Sequence, residues 1–287
     1  MISMSGKAIR KWWWLFALPT FAAFIIGFLM PFVMGVYLSF RKFVTVTDGK
    51  FVGLRNYYRA FERDPNLVYS FVFTALFAIV TTIIINVVAF AIAYLLTKKF
   101  KGTTIFRAVF FMPNLIGGII LSYVWQLLIN GVLRGCFNRT ITYSGIYGFW
   151  GLVIVVCWQQ IGYMMIIYIA GMQALPGDVM EAAAVDGASP RQTLFKITIP
   201  LMMPSITVCT FLTVTNGFKL FDQNLALTNG APSKKSEMLA LNIYNTFYGN
   251  GNHSAGIGQA KAVMFFVLVA AIALIQNMLT RSKEVAA

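Results

Sequence analysis

Seven long stretches of this 287-residue chain contain no Asp, Glu, Lys or Arg; they fall at 12–40, 65–97, 108–133, 140–177, 197–218, 238–260 and 262–280. A helix that crosses a bilayer needs roughly 20 consecutive residues with few or no charges, so six of these stretches are candidate spans. The exception is 238–260, where Asn242, Asn245, Asn250 and Asn252 are interspersed with Gly249, Gly251, Gly256 and Gly258. The spans are placed near 12–40, 68–96, 105–129, 149–172, 199–221 and 262–279. Barrel strands would show ~10-residue alternating segments instead of continuous apolar runs, so the spans are helices. The expected fold is all-α, a polytopic membrane protein with six transmembrane helices.

Charge supports that reading. Charged residues make up 11% of the chain, against about a quarter in soluble domains. The 23 Lys and Arg exceed the 9 Asp and Glu by a formal +14, yet they sit singly between apolar runs. That pattern suits membrane flanks beside lipid and argues against nucleic acid as a partner. Cys136, Cys157 and Cys209 form no CxxC pair, and His253 is the only histidine, which leaves too few ligands for a metal site. The first span is too long for a signal-peptide core and has no small-residue cleavage site after it, so Lys7, Arg10 and Lys11 flank a retained helix. Trp12, Trp13 and Trp14 suit an interfacial belt.

With six spans both termini share a side. Basic residues are denser on that side, and the N-terminal flank carries no acid, so the positive-inside rule leans toward a cytoplasmic N-terminus. The resulting organisation is a cytoplasmic segment 1–11, a membrane domain 12–280 and a cytoplasmic tail 281–287. An inner loop lies at 173–198, and outer segments lie at 41–67, 130–148 and 222–261.

The loop between the fourth and fifth spans has unusually complete helix punctuation. Asp178 with Glu181 has capping-box spacing, Ala182, Ala183 and Ala184 favour helix, and Gly187 suits the left-handed position that ends one. Ser189 and Pro190 then supply an N-cap and a first-turn proline for a second helix through Phe195, Lys196 and Ile197, ahead of Pro200. The product is a helix-turn-helix elbow at a membrane surface. Helix rules alone leave two readings open: caps and terminators only, or a docking knob for a soluble partner.

Glu181-Ala182-Ala183, Gly187, Ile197 and Ile199-Pro200 resemble the EAA signature of the permease subunits of bacterial ABC importers, with Ile199 where leucine is usual. In that family the first short helix is the coupling helix, which inserts into a cleft of the cytoplasmic ATPase. The resemblance thus assigns coupling to Glu181, Ala182, Ala183, Asp186 and Gly187 and puts the elbow in the cytoplasm. Residues 51–57, Phe106-Arg107, Phe111-Met112-Pro113, Trp125, Phe221-Asp222 and 227–232 are similar to the larger maltose-type sugar permease. By that resemblance the partners are a second homologous permease, a cytoplasmic ATPase dimer carrying ATP and Mg, an extracellular solute-binding protein and a carbohydrate. This chain would bind no cofactor, and it would sit in the bacterial cytoplasmic membrane.

An unpaired polar group in hydrocarbon costs on the order of a few kcal/mol, so polar residues within spans should face other helices or a wet cavity. Trp158, Gln159, Gln160 and Tyr163 in the fourth span and Thr213, Thr215, Asn216 and Lys219 in the fifth form a polar and aromatic band. Such a band could bond helix to helix or line a path for solute. In ungapped register with sugar contacts of the maltose system stand Gln159, Gln160, Tyr163, Thr213, Asn216, Gly217 and Leu220. Of these, Tyr163 and Thr213 keep similar chemistry. Asn86, Asn114 and Gln126 read as interhelical bonds, while Pro113, Gly117 and Gly118 suit a kink or a close helix approach.

The leading function is therefore the membrane half of an ATP-driven, binding-protein-dependent oligosaccharide importer, not itself an enzyme. No GxxxxGK[ST] sequence occurs, so ATP hydrolysis would belong to another chain. The alternative, a self-contained ion-coupled transporter, needs intramembrane carboxylates that the charge-free spans lack. A membrane-embedded enzyme would need a carboxylate pair or a histidine-metal set, and the spans supply neither.

Overall fold

A computed structural model of the chain describes residues 13–15, 17–43, 49–98, 101–249 and 254–281. Lys7, Arg10, Lys11, Trp12 and His253 lie outside the described residues, as do nearly all of the two terminal segments. In chain order the elements are α1 (Trp13–Ser39), a two-residue hairpin of β1 (Arg41–Lys42) and β2 (Lys50–Phe51), α2 (Arg55–Glu62) and α3 (Asn66–Thr97). Next come α4 (Thr103–Phe111), α5 (Gly118–Phe137), α6 (Gly145–Gln173), α7 (Gly177–Val185) and α8 (Pro190–Leu201). The last four are α9 (Met203–Phe218), α10 (Asp222–Leu227), α11 (Leu239–Tyr248) and α12 (Ala255–Arg281).

Among the described residues the chain is all-α apart from that hairpin, as its apolar runs require. Among the described residues five helices are long and apolar enough to cross a membrane: α1, α3, α5, α6 and α12. The bent pair α8 and α9, which meet at 68°, makes a sixth if counted as one span. α12 starts at Ala255, seven residues before the expected boundary, so Lys261 lies inside this helix. Among its described residues the Asn- and Gly-rich stretch before it forms the ten-residue α11.

The expected third span, 105–129, is not one helix. α4 ends at Phe111, a 3₁₀ turn covers Met112–Leu115, Ile116 is extended and α5 begins at Gly118. Pro113 lacks an N–H, which favours a break here. The kink expected from Pro113, Gly117 and Gly118 is therefore a full interruption of the span.

The chain divides into two compact units. The first holds residues up to Asp64 together with Asn245–Phe265. There the Asn56 amide donates to the Ser39 and Arg41 carbonyls at 2.8 and 2.9 Å, which fastens α2 to the end of α1. Lys261, 2% exposed, donates to Asp64 at 2.6 Å and to Thr246 at 2.8 Å. These bonds offset the desolvation of its ammonium group.

The second unit holds Pro65–Tyr244 and the rest of α12, and its core lies between α3 and α6. Phe73, Phe77, Ile85, Ala89 and Ala93 recur at helical spacing on α3 and are buried with Leu152, Val155, Val156, Met164 and Met165 of α6. Phe149 meets Phe73 and Phe77 edge-on at 5.4 and 6.1 Å, a geometry favoured by the ring quadrupoles. α4 crosses α6 at Gly162, where a Cβ would stand 1.8 Å from the Phe110 carbonyl oxygen. A residue without a side chain permits that approach.

Candidate functional site

The elbow is built as the loop's residue pattern predicts, with one correction. α7 starts at Gly177 with Pro176 at the N-cap, so Asp178 is already in the first turn and caps nothing through its side chain. The capping box forms one helix later. Gln192 N–H donates to Ser189 Oγ while the Gln192 side chain accepts from Ser189 N–H, and Pro190 takes the first helical position. Pro176 prevails at the first site because its fixed φ presets the helix entry, and Asp178 still complements the dipole there.

α7 ends in a Schellman motif. Ala188 N–H donates to the Ala183 carbonyl at 3.0 Å, Gly187 N–H donates to the Ala184 carbonyl at 3.2 Å, and Gly187 has φ +73°. Glu181, Ala182, Asp186 and Gly187 are exposed, as is Val185 at 87%, whereas Ala183 is buried. This short element ends on an exposed valine, Val185. It continues through α8, which contains a π-turn at Leu194–Thr198, and across the 68° bend into α9.

The polar band is divided by the structure into bracing residues and cavity residues. Gln159 braces: its Nε2 donates to the Ile116 carbonyl freed by the break between α4 and α5, at 3.0 Å, and its Oε1 accepts from Gln223 Nε2 at 2.8 Å. Thr213 is 2% exposed; it accepts from the Asn86 amide at 2.9 Å and donates to the Cys209 carbonyl. Asn86 in turn accepts from the Tyr168 hydroxyl, so α3, α6 and α9 share one network. Bonds of this kind average ~0.6 kcal/mol in membrane helices. Gly217 also belongs to packing, since a Cβ there would lie 3.0 Å from that of Ala78. Tyr163 is half-buried against the core. Gln126 donates to the Leu227 carbonyl at 2.7 Å, the interhelical role expected of it.

Gln160, Asn216 and Leu220 come together in a cavity of 270 Å³, with Lys219, Phe221, Asp222 and Gln223 completing the wall. Gln160 is 9% exposed, and its Oε1 is buried without a hydrogen-bond partner among the described residues. A buried acceptor left unmade costs ~1–3 kcal/mol, so Gln160 carries an unmet polar demand within the cavity wall. Asp222 and Gln223 are not among the expected site residues. Their signal is the Phe221-Asp222 pair that ends the fifth span, and Gly118 lets α5 approach them, with 3.0 Å between its would-be Cβ and that of Asp222.

These features define a multi-pass helical membrane protein with an exposed helical elbow and a small polar cavity between its helices. Residues 103–285 match the family described as binding-protein-dependent transport system inner membrane component, and the chain belongs to that family. It is 42% identical to the probable starch degradation products transport system permease protein AmyD of Thermoanaerobacterium thermosulfurigenes, over 96% of this chain and 95% of the relative. It is 30% identical to the trehalose/maltose transport system permease protein MalF of Thermococcus litoralis, over 89% of each chain. Among solved structures, a chain of the bacterial alginate ABC transporter, crystallised with an alginate pentasaccharide-bound periplasmic protein, superposes with a TM-score of 0.79. That likeness covers 96% of both chains at 18% identity and establishes a shared fold.

Proposed function

We propose that this chain is one of two permease halves of an ATP-driven oligosaccharide importer and performs no catalysis of its own. The observation that carries the reading is the elbow: an exposed α7, locked at Gly187 and joined through α8 to the membrane-embedded α9, is what a separate ATPase would need to grip. Glu181, Ala182, Ala183, Asp186 and Gly187 form that handle on the cytoplasmic side, together with both termini, and α8 and α9 complete a sixth span. ATP and Mg belong to the ATPase dimer, and this chain needs no cofactor.

The carbohydrate assignment draws on relatives named for transport of starch degradation products and of trehalose and maltose. It also suits the cavity, where amide groups of Gln160 and Asn216 can pair with hydroxyls and Phe221 offers an apolar face. Gln159, Thr213, Gly217 and Tyr163 hold the helices that shape the path, and Leu220 lines it. A solute-binding protein delivers the sugar from outside. Purification of the tagged chain from its native membrane, followed by reconstitution, tests this. The reading requires an ATPase and a second permease to copurify and uptake to need both ATP and the binding protein. Solute accumulation by the lone chain under an ion gradient would refute it.

A further inference from the structure

α2 is too short to span a membrane, and its three faces differ in chemistry. Asn56 and Ala60 are buried, at 2% and 0% exposure. Beside them Leu54, Tyr58 and Phe61 are exposed at 59%, 76% and 55%, and Phe51 just upstream at 72%. The remaining face carries Arg55, Arg59 and Arg63 at every fourth position, one above another along the helix. With Tyr58 and Glu62 they line an open groove of 490 Å³. Among the described residues none of the three guanidinium groups makes an ion pair, although like charges at this spacing repel one another. One Glu against three Arg leaves the groove cationic.

The position of the helix identifies the anion. The two bonds from the Asn56 amide fix α2 to Ser39 and Arg41, where the membrane-capable α1 ends, and the Tyr57 hydroxyl shares a 2.7 Å hydrogen bond with Ser39 Oγ. α2 is thereby held at the depth where α1 leaves the hydrocarbon. Exposed Tyr, Phe and Leu beside a stripe of arginines is the pattern of a helix lying in the headgroup layer. Arginine also matches phosphate oxygens in a bidentate fork.

We infer that α2 is an interfacial helix whose Arg55, Arg59 and Arg63 hold the phosphate of an anionic phospholipid while Leu54, Tyr58 and Phe61 insert at the acyl boundary. A soluble partner with an acidic face would satisfy the arginines, but it would leave the neighbouring aromatic residues facing water whenever it departed. The site does not depend on the transport reading.

The test uses the assembled transporter in nanodiscs. Tyr58→Trp is compared with the parent, so that the native tryptophans subtract, in lipids brominated on the acyl chain. The added fluorescence should fall by more than half, and further in brominated phosphatidylglycerol than in phosphatidylcholine. In an Arg55→Gln, Arg59→Gln, Arg63→Gln background that preference should disappear, on the order of five-fold per arginine. Native mass spectrometry of the unmodified complex should also retain phosphatidylglycerol, and loss of all bound anionic lipid would count against the site. Equal quenching by both lipids with no effect of the arginines would overturn it. So would an indole introduced at position 58 that no brominated lipid reaches but that an added acidic binding protein shields from aqueous quencher.

Discussion

Gly187 offers a perturbation whose size follows from the structure. It sits at φ +73°, and a Cβ built on it would meet no atom within 4 Å. A substitution there is therefore not a steric lesion, and its cost is the left-handed backbone alone. For an ordinary L-residue that cost is roughly 1–2 kcal/mol, and it is at the upper end for a β-branched one. The Schellman bonds from Gly187 and Ala188 must be given up or strained by that amount, which lowers the population of the intact elbow about five- to thirty-fold. In proteoliposomes containing the whole transporter, Gly187→Val should leave insertion and melting temperature unchanged while sugar moved per ATP hydrolysed falls several-fold. Gly187→Asn tolerates the left-handed region and should retain most coupling. Wild-type coupling in Gly187→Val, or equal damage from Val and Asn, would refute the idea that this turn transmits force.

Other substitutions separate bracing from transport. Gly162→Ala places a methyl group against the Phe110 carbonyl, a backbone atom that cannot turn away, so it should cost about 3 kcal/mol and appear as a lower melting temperature in detergent. Thr213→Val removes the acceptor for Asn86 and should destabilise by about 1 kcal/mol without changing sugar preference in uptake competition. Asn216→Ala, at the cavity, should leave melting unchanged but alter uptake of one oligosaccharide relative to another. Lys261→Met strands Asp64, whose side chain is 18% exposed, and should destabilise by about 3 kcal/mol. Adding Asp64→Asn should restore much of the loss, and a double variant no more stable than the single one would remove the pair from the account.

The spans were legible because exclusion of charge is a property of composition, and bilayer thickness converts it directly into length. The elbow was legible because Gly187, Ser189 and Pro190 are local backbone signals that act within a few residues. Features decided by distant neighbours were hidden. The break in the third span was announced by Pro113, Gly117 and Gly118, but the closeness of α4 and α6, which depends on Gly162 meeting Phe110 some fifty positions earlier, was not. In the same way Gln159 and Gln160 are adjacent and chemically identical, yet one ties down the Ile116 carbonyl while the other belongs to the wall of a cavity. A list of polar residues cannot divide them, because the division follows from which face of α6 meets α10 and the start of α5. Asp178 failed as a cap for a local reason: proline two residues earlier started the helix first.

The most direct measurement concerns Val185, the most exposed large hydrophobic residue of the elbow. With the exposed Cys136 changed to Ser, Val185→Cys should react with a membrane-impermeant maleimide in inverted vesicles and not in right-side-out cells. In the assembled transporter a short bifunctional reagent should join it to the ATPase chain. Labelling from outside the cell, or a fully assembled and active transporter in which the thiol introduced at position 185 crosslinks to no ATPase, would contradict the account.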